Sequence, residues 1–179
     1  DISVASKAVI DGPDAKSVKL LECNVTRVRR TEGSGSVIET AVGGGGDVSV
    51  SGCVMDGCGV NTGGHDGGGM IVELSGTGAL NVSECTIKSC FVNAANGKGG
   101  GVYMRVSENS INAFLLKDID FISNVAKVGK NVYVWAYDLN LTAQRSRFDF
   151  VIGNDEDELN GRGVVNFKDE DANIVDLWV

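Results

Sequence analysis

Five cysteines are the first candidates for chemistry in this chain of 179 residues. They are Cys23, Cys53, Cys58, Cys85 and Cys90. Two cysteines can form a disulfide when their Cα atoms lie about 4.4–6.8 Å apart, and an odd number leaves one thiol free or paired outside the chain. The spacings match no pattern of zinc ligands. The sequence therefore offers packed thiols or disulfides, and it predicts no metal site.

Acidic residues on an outward face are candidates for polysaccharide cleavage, since glycoside hydrolysis uses two carboxylates at a fixed separation. Asp120 and Asp149 each directly precede a phenylalanine, so they are predicted to lie side by side if the segments around them stack. Lys117 and the arginines at 145 and 147 lie near them in the sequence. An exposed charged face is the favoured interpretation, and we predict no catalytic residue.

The remaining candidates for ligand chemistry are weaker. His65 is the single histidine, and it lies in a glycine-rich loop with no nucleophile at a defined spacing, which favours a solvated side chain. The acidic runs at 155–158 and 169–171 offer oxygen ligands that calcium prefers. They lack the spaced pattern of a dedicated calcium loop. Solvated acidic turns are therefore favoured, and no cofactor is predicted.

The elements that position these residues are short strands that recur about every 30 residues. One pattern recurs five times, starting at positions 23, 53, 85, 119 and 148. It consists of two anchor residues, mostly apolar, that are two positions apart, followed by a third residue three positions further on. An alternating apolar segment precedes each, and a strand usually led by glycine follows. Segments this short bury their apolar side only when copies stack. The sequence predicts an all-β, right-handed parallel β-helix of about five three-sided coils.

The chain is predicted to be a single β-helix domain over residues 1–179. Residues 1–16 are interpreted as the remnant of an earlier coil or a cap, 17–167 as the repeats, and 168–179 as a C-terminal strand or cap. Residue 1 is Asp and no signal peptide is visible, so we interpret the chain as a mature or excised segment. Open coil ends predict possible self-association.

Stacking would place the cysteines in two columns, with Cys23, Cys53 and Cys85 in one and Cys58 and Cys90 in the other. Neighbouring parallel strands lie about 4.8 Å apart, which permits disulfides across coils, Cys58 with Cys90 and Cys53 with Cys85. Pairing within a coil, Cys53 with Cys58 and Cys85 with Cys90, is also open. So is a ladder of free, packed thiols.

The repeats resemble those of polymorphic outer-membrane-type surface proteins, which carry G-G-A-I and F-x-x-N motifs. Residues 121–124, F-I-S-N, match the second motif, residues 100–103, G-G-V-Y, are close to the first, and residues 130–133, K-N-V-Y, are a drifted copy. The resemblance spans about residues 17–167. It implies a secreted or surface-displayed module of adhesin-like or structural type, and it implies no catalytic residue.

The glycine-led strands carry aromatic residues at positions predicted to face outward. One predicted column runs through Ile71, Tyr103, Tyr133 and Val165, and the next through Glu73, Arg105, Trp135 and Phe167, with Tyr137 following. Exposed aromatic patches mark binding surfaces, where the rings stack on sugars or contact a protein. Aromatic stacking that only stabilises the strands is the alternative. The candidate binding residues are Tyr103, Arg105, Tyr133, Trp135 and Tyr137.

Three N-glycosylation acceptor motifs begin at Asn24, Asn81 and Asn140, each predicted to face outward. The formal net charge of −8 argues against a nucleic-acid partner and against docking on an anionic membrane, and no apolar run approaches the roughly 20 residues of a membrane span. We expect a non-catalytic extracellular or cell-surface module that presents flat strand faces to a glycan or protein. The alternatives are a polysaccharide lyase or hydrolase and a filament subunit.

Overall fold

The computed structural model describes residues 7–61, 65–108, 110, 114–153, 164–168 and 174–178. These residues form an all-β structure whose parallel strands stack as a solenoid of about four turns. The predicted parallel β-helix architecture is confirmed, with about four turns where the repeats predicted about five coils.

The described residues contain seventeen strands and one helix. The elements are β1 (Ile10–Gly12), β2 (Ser17–Leu21), β3 (Asn24–Thr26), β4 (Arg29–Arg30), β5 (Ile38–Val42), β6 (Asp47–Ser51), β7 (Val54–Asp56), β8 (Gly59–Val60), β9 (Met70–Leu74), β10 (Ala79–Lys88), β11 (Phe91–Val92), β12 (Val102–Val106), β13 (Phe114–Ile122), β14 (Val132–Ala136), α1 (Leu139–Arg145), β15 (Arg147–Gly153), β16 (Val164–Lys168) and β17 (Ile174–Trp178).

The strands form three sheets that run along the solenoid. Sheet I has the order β1-β5-β9-β12-β14-β16-β17 and contains the glycine-led strands. Sheet II has the order β15-β13-β10-β6-β2, and β3 and β7 join it through the second half of β10. Sheet III has the order β11-β8-β4. The first three turns thus contribute one layer to every sheet, and the fourth reaches sheet III only through a bridge between Phe91 and Val125.

The core is built from alternate residues that stack in register from turn to turn. In sheet II, Val18 pairs with Val48, Val48 with Leu80 and Leu80 with Phe114, and all four side chains are buried. Side chains alternate between the two faces of a strand, so a parallel pairing without slippage places every second residue of each turn in the core. The predicted inward columns of the first four repeats are confirmed.

Each turn bends twice, once within sheet II and once between sheet II and sheet III, and each bend is made by a single residue with positive φ. The first bend uses Glu22, Gly52, Glu84 and Asp118 in successive turns, with φ between 49° and 63°. The second uses Arg27, Gly57, Ser89 and Ser123, with φ between 51° and 64°. Only glycine adopts this conformation without steric cost. The repeat therefore tolerates six strained non-glycine residues at its bends.

At the second bend, substitutions in neighbouring turns are expected to change the free energy of unfolding in opposite directions. Gly57→Ala is expected to lower the free energy of unfolding by about 1 kcal/mol, because a Cβ at φ +64° is strained, although it would meet only Arg27 Cγ at an ordinary contact distance of 3.6 Å. Ser89→Gly is expected to raise it by about 0.5 kcal/mol, because it removes the same strain. Urea unfolding midpoints measure both. Changes of the same sign in the two variants would contradict the bend geometry.

Glycines precede the strands of sheet I because backbone atoms of the next turn lie against these positions. A Cβ on Gly68 would approach the Gly100 carbonyl oxygen to 2.1 Å, and a Cβ on Gly100 would approach the Lys130 oxygen to 2.4 Å. Backbone hydrogen bonds link the same positions, with Gly68 N–H donating to Gly99 O at 2.8 Å. The glycine runs are therefore a packing requirement of closely stacked corners.

The last repeat is aligned differently from the prediction. Phe148 pairs with Leu116 and Val151 with Ile119, so the anchor of this repeat begins at position 151, not at 148. Asp149 consequently pairs with Lys117, and Asp120 pairs with Ile152. The predicted side-by-side arrangement of Asp120 and Asp149 is wrong. At about 3.3 Å per residue, the shift of three positions separates them by about 10 Å along the strands.

The carboxyl-terminal part of sheet I also differs from the prediction. Val165 pairs with Val132 and Phe167 with Val134, so neither belongs to the outward columns to which the sequence assigned it. β17 pairs antiparallel with β16, which agrees with the predicted closing strand. At the other end, β1 pairs with β5, so the predicted coil remnant contributes one strand to sheet I. The domain boundaries themselves stay a prediction.

Helix α1 was not predicted. Its amino-terminal cap is Asp138, whose Oδ1 accepts a hydrogen bond from Leu141 N–H at 2.8 Å. Asp at this position satisfies a backbone donor that the first turn leaves unpaired. Arg145 in the last turn donates to the Ser110 carbonyl oxygen at 2.7 Å. The helix thus fills the corner between sheet I and sheet II in the fourth turn.

Candidate functional site

Two outward columns of sheet I contain most of the predicted binding residues. The first column runs through Glu39, Ile71, Tyr103 and Tyr133. The second runs through Ala41, Glu73, Arg105 and Trp135. The four turns therefore place equivalent residues side by side, and the two columns differ in their exposure to solvent.

The first column is covered at its aromatic end. Tyr103 is 8% exposed and Tyr133 is 1% exposed, and their rings stack with centroids 5.4 Å apart and planes at 13°. The Lys98 ammonium lies 5.5 Å from the centre of the Tyr133 ring. Burial raises the pKa of both phenols. The expectation that these two rings are exposed is wrong. The rings stack on each other, residues around Lys98 cover them, and the stack stabilises adjacent strands.

Asp66 lies close to this tyrosine pair. Its Oδ1 accepts a hydrogen bond from Lys98 N–H at 2.9 Å. Burial raises the pKa of the Asp66 carboxyl, and the Lys98 charge opposes that rise. The carboxylate therefore fixes the corner that leads into β12, because it satisfies a backbone donor of the next turn. His65, beside it, is partly exposed.

The second column places two opposite charges and one aromatic ring side by side. Arg105 Nη1 lies 3.4 Å from Glu73 Oε1, and its guanidinium carbon lies 5.0 Å from the centre of the Trp135 ring. Glu73 and Arg105 are exposed, and Trp135 is partly exposed. Exposed ion pairs and cation–π contacts of this kind contribute little to stability. Their geometry nevertheless fixes the Trp135 ring and the Arg105 fork at the surface.

A groove lies at the carboxyl ends of the sheet I strands, beside the second column. It has a volume of about 420 Å³, and its lining includes Glu73, Arg105, Glu108, Trp135 and Tyr137. Tyr137 is 40% exposed. Two smaller depressions of about 250 Å³ and 350 Å³ adjoin it, and all three have Ala41 in their lining. We call the 420 Å³ depression the groove.

The groove repeats the same corner in successive turns. Ser75, Ser107 and Tyr137 each follow the last residue of a sheet I strand, and their backbone N–H groups donate to the turn before at 2.9–3.0 Å. The lining therefore combines hydroxyls, two carboxylates, one guanidinium and two aromatic rings. These groups are of the kind that form few but directional contacts with a small polar ligand.

Of the five predicted binding residues, the structure brings Arg105, Trp135 and Tyr137 together in the groove. The sequence analysis assigned Glu73 only to an outward column, and it missed Glu108 and the two serines. The signal that finds them is their position at the end of a strand, one or two residues after the last core residue. Corners of equivalent strands are adjacent in a solenoid, so such residues from several turns converge.

The cysteines occupy the two predicted columns, and all five are free thiols. Cys58 and Cys90 occupy equivalent positions in neighbouring turns, since Phe91 N–H donates to Cys58 O at 2.9 Å. A hydrogen bond between their side chains lowers the pKa of Cys58 and raises that of Cys90, whose thiol is deeply buried. The structure places the close pairs across coils. The disulfides stay a prediction.

The acceptor asparagines have different environments. Asn24 in β3 and Asn81 in β10 are exposed, as predicted, so their side chains are accessible. Asn140 lies in α1 and not in a strand, and its side chain lies outside the described residues. Glycosylation at the three positions stays a prediction.

Within the part of the chain that the structure describes, no cluster of three or more histidine, cysteine, aspartate or glutamate side chains has the geometry to hold a metal ion. The acidic runs at 155–158 and 169–171, predicted as weak calcium ligands, lie outside the described residues. Among the helices that the structure describes, none has the length and apolar content to cross a membrane.

Comparisons of the chain with protein-family models, with curated proteins and with solved structures found no significant match. The solenoid architecture is therefore established by the strand register alone. The finer resemblance to polymorphic outer-membrane-type repeats rests on residues 100–103, 121–124 and 130–133.

Proposed function

We propose that the protein is a non-catalytic β-solenoid module of an extracellular or cell-surface protein, and that its groove binds a glycan. The observation that carries this proposal is the convergence of Trp135, Tyr137 and Arg105 with hydroxyl and carboxylate side chains in one 420 Å³ depression. Exposed aromatic side chains and directional polar groups are the two features that sugar recognition requires.

The shape and charge of the groove favour a neutral glycan. Glu73 and Glu108 contribute two negative charges to the lining, and Arg105 contributes one positive charge that is already paired with Glu73 at 3.4 Å. The chain as a whole carries a formal charge of −8. An acidic polysaccharide would meet repulsion on approach. Hydroxyl groups of a neutral sugar can instead donate to the carboxylates and accept from the serines.

The two aromatic rings have different roles in this proposal. The Arg105 guanidinium covers one face of Trp135, so this ring forms a wall of the groove. Tyr137 has a larger exposed fraction and lies just beyond the end of β14. We therefore assign the stacking contact with the sugar to Tyr137, and the positioning of the wall to Trp135.

An extracellular or cell-surface location is supported by the resemblance of the repeats to surface proteins and by the exposed acceptors Asn24 and Asn81. In this setting the solenoid acts as a rigid support that displays the groove, of adhesin-like or structural type. Self-association through the coil ends, as in a filament, stays a prediction.

A protein partner at the same groove is the second candidate. Tryptophan, tyrosine and arginine are enriched at the centres of protein interfaces, and all three line the groove. Polysaccharide cleavage is less supported than either binding role. The register separates Asp120 from Asp149, so the acidic column on which that hypothesis depended is absent from β13 and β15.

A glycan array tests the proposal, followed by a titration with any glycan that is retained. Tyr137→Ala is expected to weaken binding at least tenfold, which corresponds to about 1.4 kcal/mol of lost contact energy. Leu21→Ala is the matched control, because Leu21 is 54% exposed and lies on sheet II, away from the groove. Equal affinities of the two variants, or the retention of no glycan, would contradict the proposal.

A further inference from the structure

Three of the five cysteines stack in one column inside sheet II, directly after its first bend. Cys23, Cys53 and Cys85 occupy equivalent positions in successive turns, because Val54 N–H donates to Cys23 O at 2.8 Å and Thr86 N–H donates to Cys53 O at 2.9 Å. Equivalent residues of neighbouring parallel strands lie about 4.8 Å apart, within the range of Cα separations that a disulfide spans.

The contact between the first two members is direct. Cys23 N–H donates to Cys53 Sγ at 3.4 Å, so the Cys53 sulfur lies against the backbone of Cys23. The Cys53 thiol in turn donates to Leu20 O at 3.3 Å, and the Cys23 thiol donates to Leu21 O at 3.1 Å. The two residues therefore occupy neighbouring positions in paired strands, and a disulfide between them requires side-chain rotation but no change in strand pairing.

Access from solvent distinguishes the members of the column. Cys23 is partly exposed, whereas Cys53, Cys58, Cys85 and Cys90 are buried. The reason is its place in the fold, since β2 and β3 form the last layer of sheet II in the described part of the chain. A reagent dissolved in water therefore reaches Cys23 before it reaches any of the other four.

We propose that Cys23 and Cys53 form a disulfide, and that Cys23 is the thiol through which a small-molecule disulfide such as oxidised glutathione oxidises the column. The Cys23 thiolate attacks one sulfur of glutathione disulfide, forms a mixed disulfide and releases one glutathione thiolate. The Cys53 thiolate then attacks the Cys23 sulfur and releases the second glutathione. Two protein thiols lose two electrons and two protons, and one glutathione disulfide becomes two glutathione thiols.

This pairing differs from the pairs that spacing alone suggests. Cys58 and Cys90 are as close in the ladder, but both thiols are fully buried, so no reagent meets either of them in the folded protein. Burial also raises the pKa of Cys85 to about 11 and raises that of Cys53, which keeps both mostly protonated and makes them poor first nucleophiles. The more exposed thiol therefore reacts first, and its stacked neighbour resolves the mixed disulfide.

The test is to incubate the reduced, folded chain with oxidised glutathione, quench with acid and an alkylating reagent, and map the linked peptides by mass spectrometry. We expect a Cys23–Cys53 link that forms at least tenfold faster than any other. Cys53→Ala is expected to leave glutathione attached to Cys23. Cys23→Ala is expected to abolish the fast link, and Cys58→Ala, the matched control, to retain it.

Wild-type mapping decides the question even if a variant folds poorly. Glutathione that stays on Cys23 without a link to Cys53 in the wild-type chain would overturn the proposal. So would a link between Cys58 and Cys90, or between Cys53 and Cys85, that forms as fast as the expected one.

Discussion

Replacing Gly100 by alanine is expected to lower the free energy of unfolding by about 3 kcal/mol. The added Cβ would lie 2.4 Å from the Lys130 carbonyl oxygen and 2.7 Å from the Val125 carbonyl oxygen. Both neighbours are backbone of the next turn, so no side chain can rotate away, and relief requires the turns to separate. Separation weakens the hydrogen bond from Gly100 N–H to Gly129 O, which is 3.2 Å long.

Gly44→Ala is the matched control for this prediction. A Cβ there would meet nothing within 4 Å, but the residue has φ +56°. Its expected cost is therefore the backbone strain alone, about 1 kcal/mol. Urea unfolding of the two variants separates the effects. Equal costs would mean that the corners at Gly100 are not closely packed and that the turns stack more loosely than the structure shows.

Replacing Asn124 by alanine is expected to cost about 3 kcal/mol, because it removes a buried hydrogen-bond network between turns. Asn124 Oδ1 accepts from Cys90 N–H at 2.9 Å, and Nδ2 donates to Ile87 O at 2.9 Å and to Asn131 Oδ1 at 3.1 Å. The substitution leaves the Cys90 N–H without this acceptor and opens a void in the corner. Thermal or urea unfolding measures the loss.

The matched control is Asn93→Ala, since Asn93 makes an exposed side-chain hydrogen bond to Asn61 at 3.4 Å and is expected to cost less than 0.5 kcal/mol. A second variant tests the mechanism. In the preceding turn this corner contains Cys90 and Gly101 instead of two asparagines. Asn124→Cys combined with Asn131→Gly is therefore expected to recover at least half of the loss. No recovery would show that the asparagine pair has a role beyond filling the corner.

The alternation of apolar residues was sufficient to predict the architecture and the inward columns. Val18, Val48, Leu80 and Phe114 are separated by nearly constant spacings, and strand geometry then decides which face each residue occupies. The last repeat could not be aligned in this way. Phe148 and Phe150 have the same spacing as the apolar pair of the anchor. Because Val151 and Ile152 follow them, β15 has apolar residues on both of its faces, and the alternation does not show which face is inward. Backbone pairing decides such a case.

The candidate site was predictable only in part, because the direction of a side chain does not determine its exposure. Tyr103 and Tyr133 point away from the core as predicted, yet stacking and the chain around Lys98 bury them. The groove depends on corner residues such as Ser107 and Glu108, which lie beyond the alternating pattern of the strands. Their convergence follows from the stacking of turns, so it becomes visible only when the register is known.

The most direct test of the account is a fluorescence titration of the groove. The chain has two tryptophans, Trp135 and Trp178, so Trp178→Phe leaves the groove wall as the single reporter. Addition of a glycan retained on the array is expected to shift the Trp135 emission with a saturable dependence, and Tyr137→Ala in the same background is expected to raise the Kd at least tenfold. Binding that leaves the Trp135 emission unchanged and is insensitive to Tyr137→Ala would place the ligand elsewhere and contradict the account.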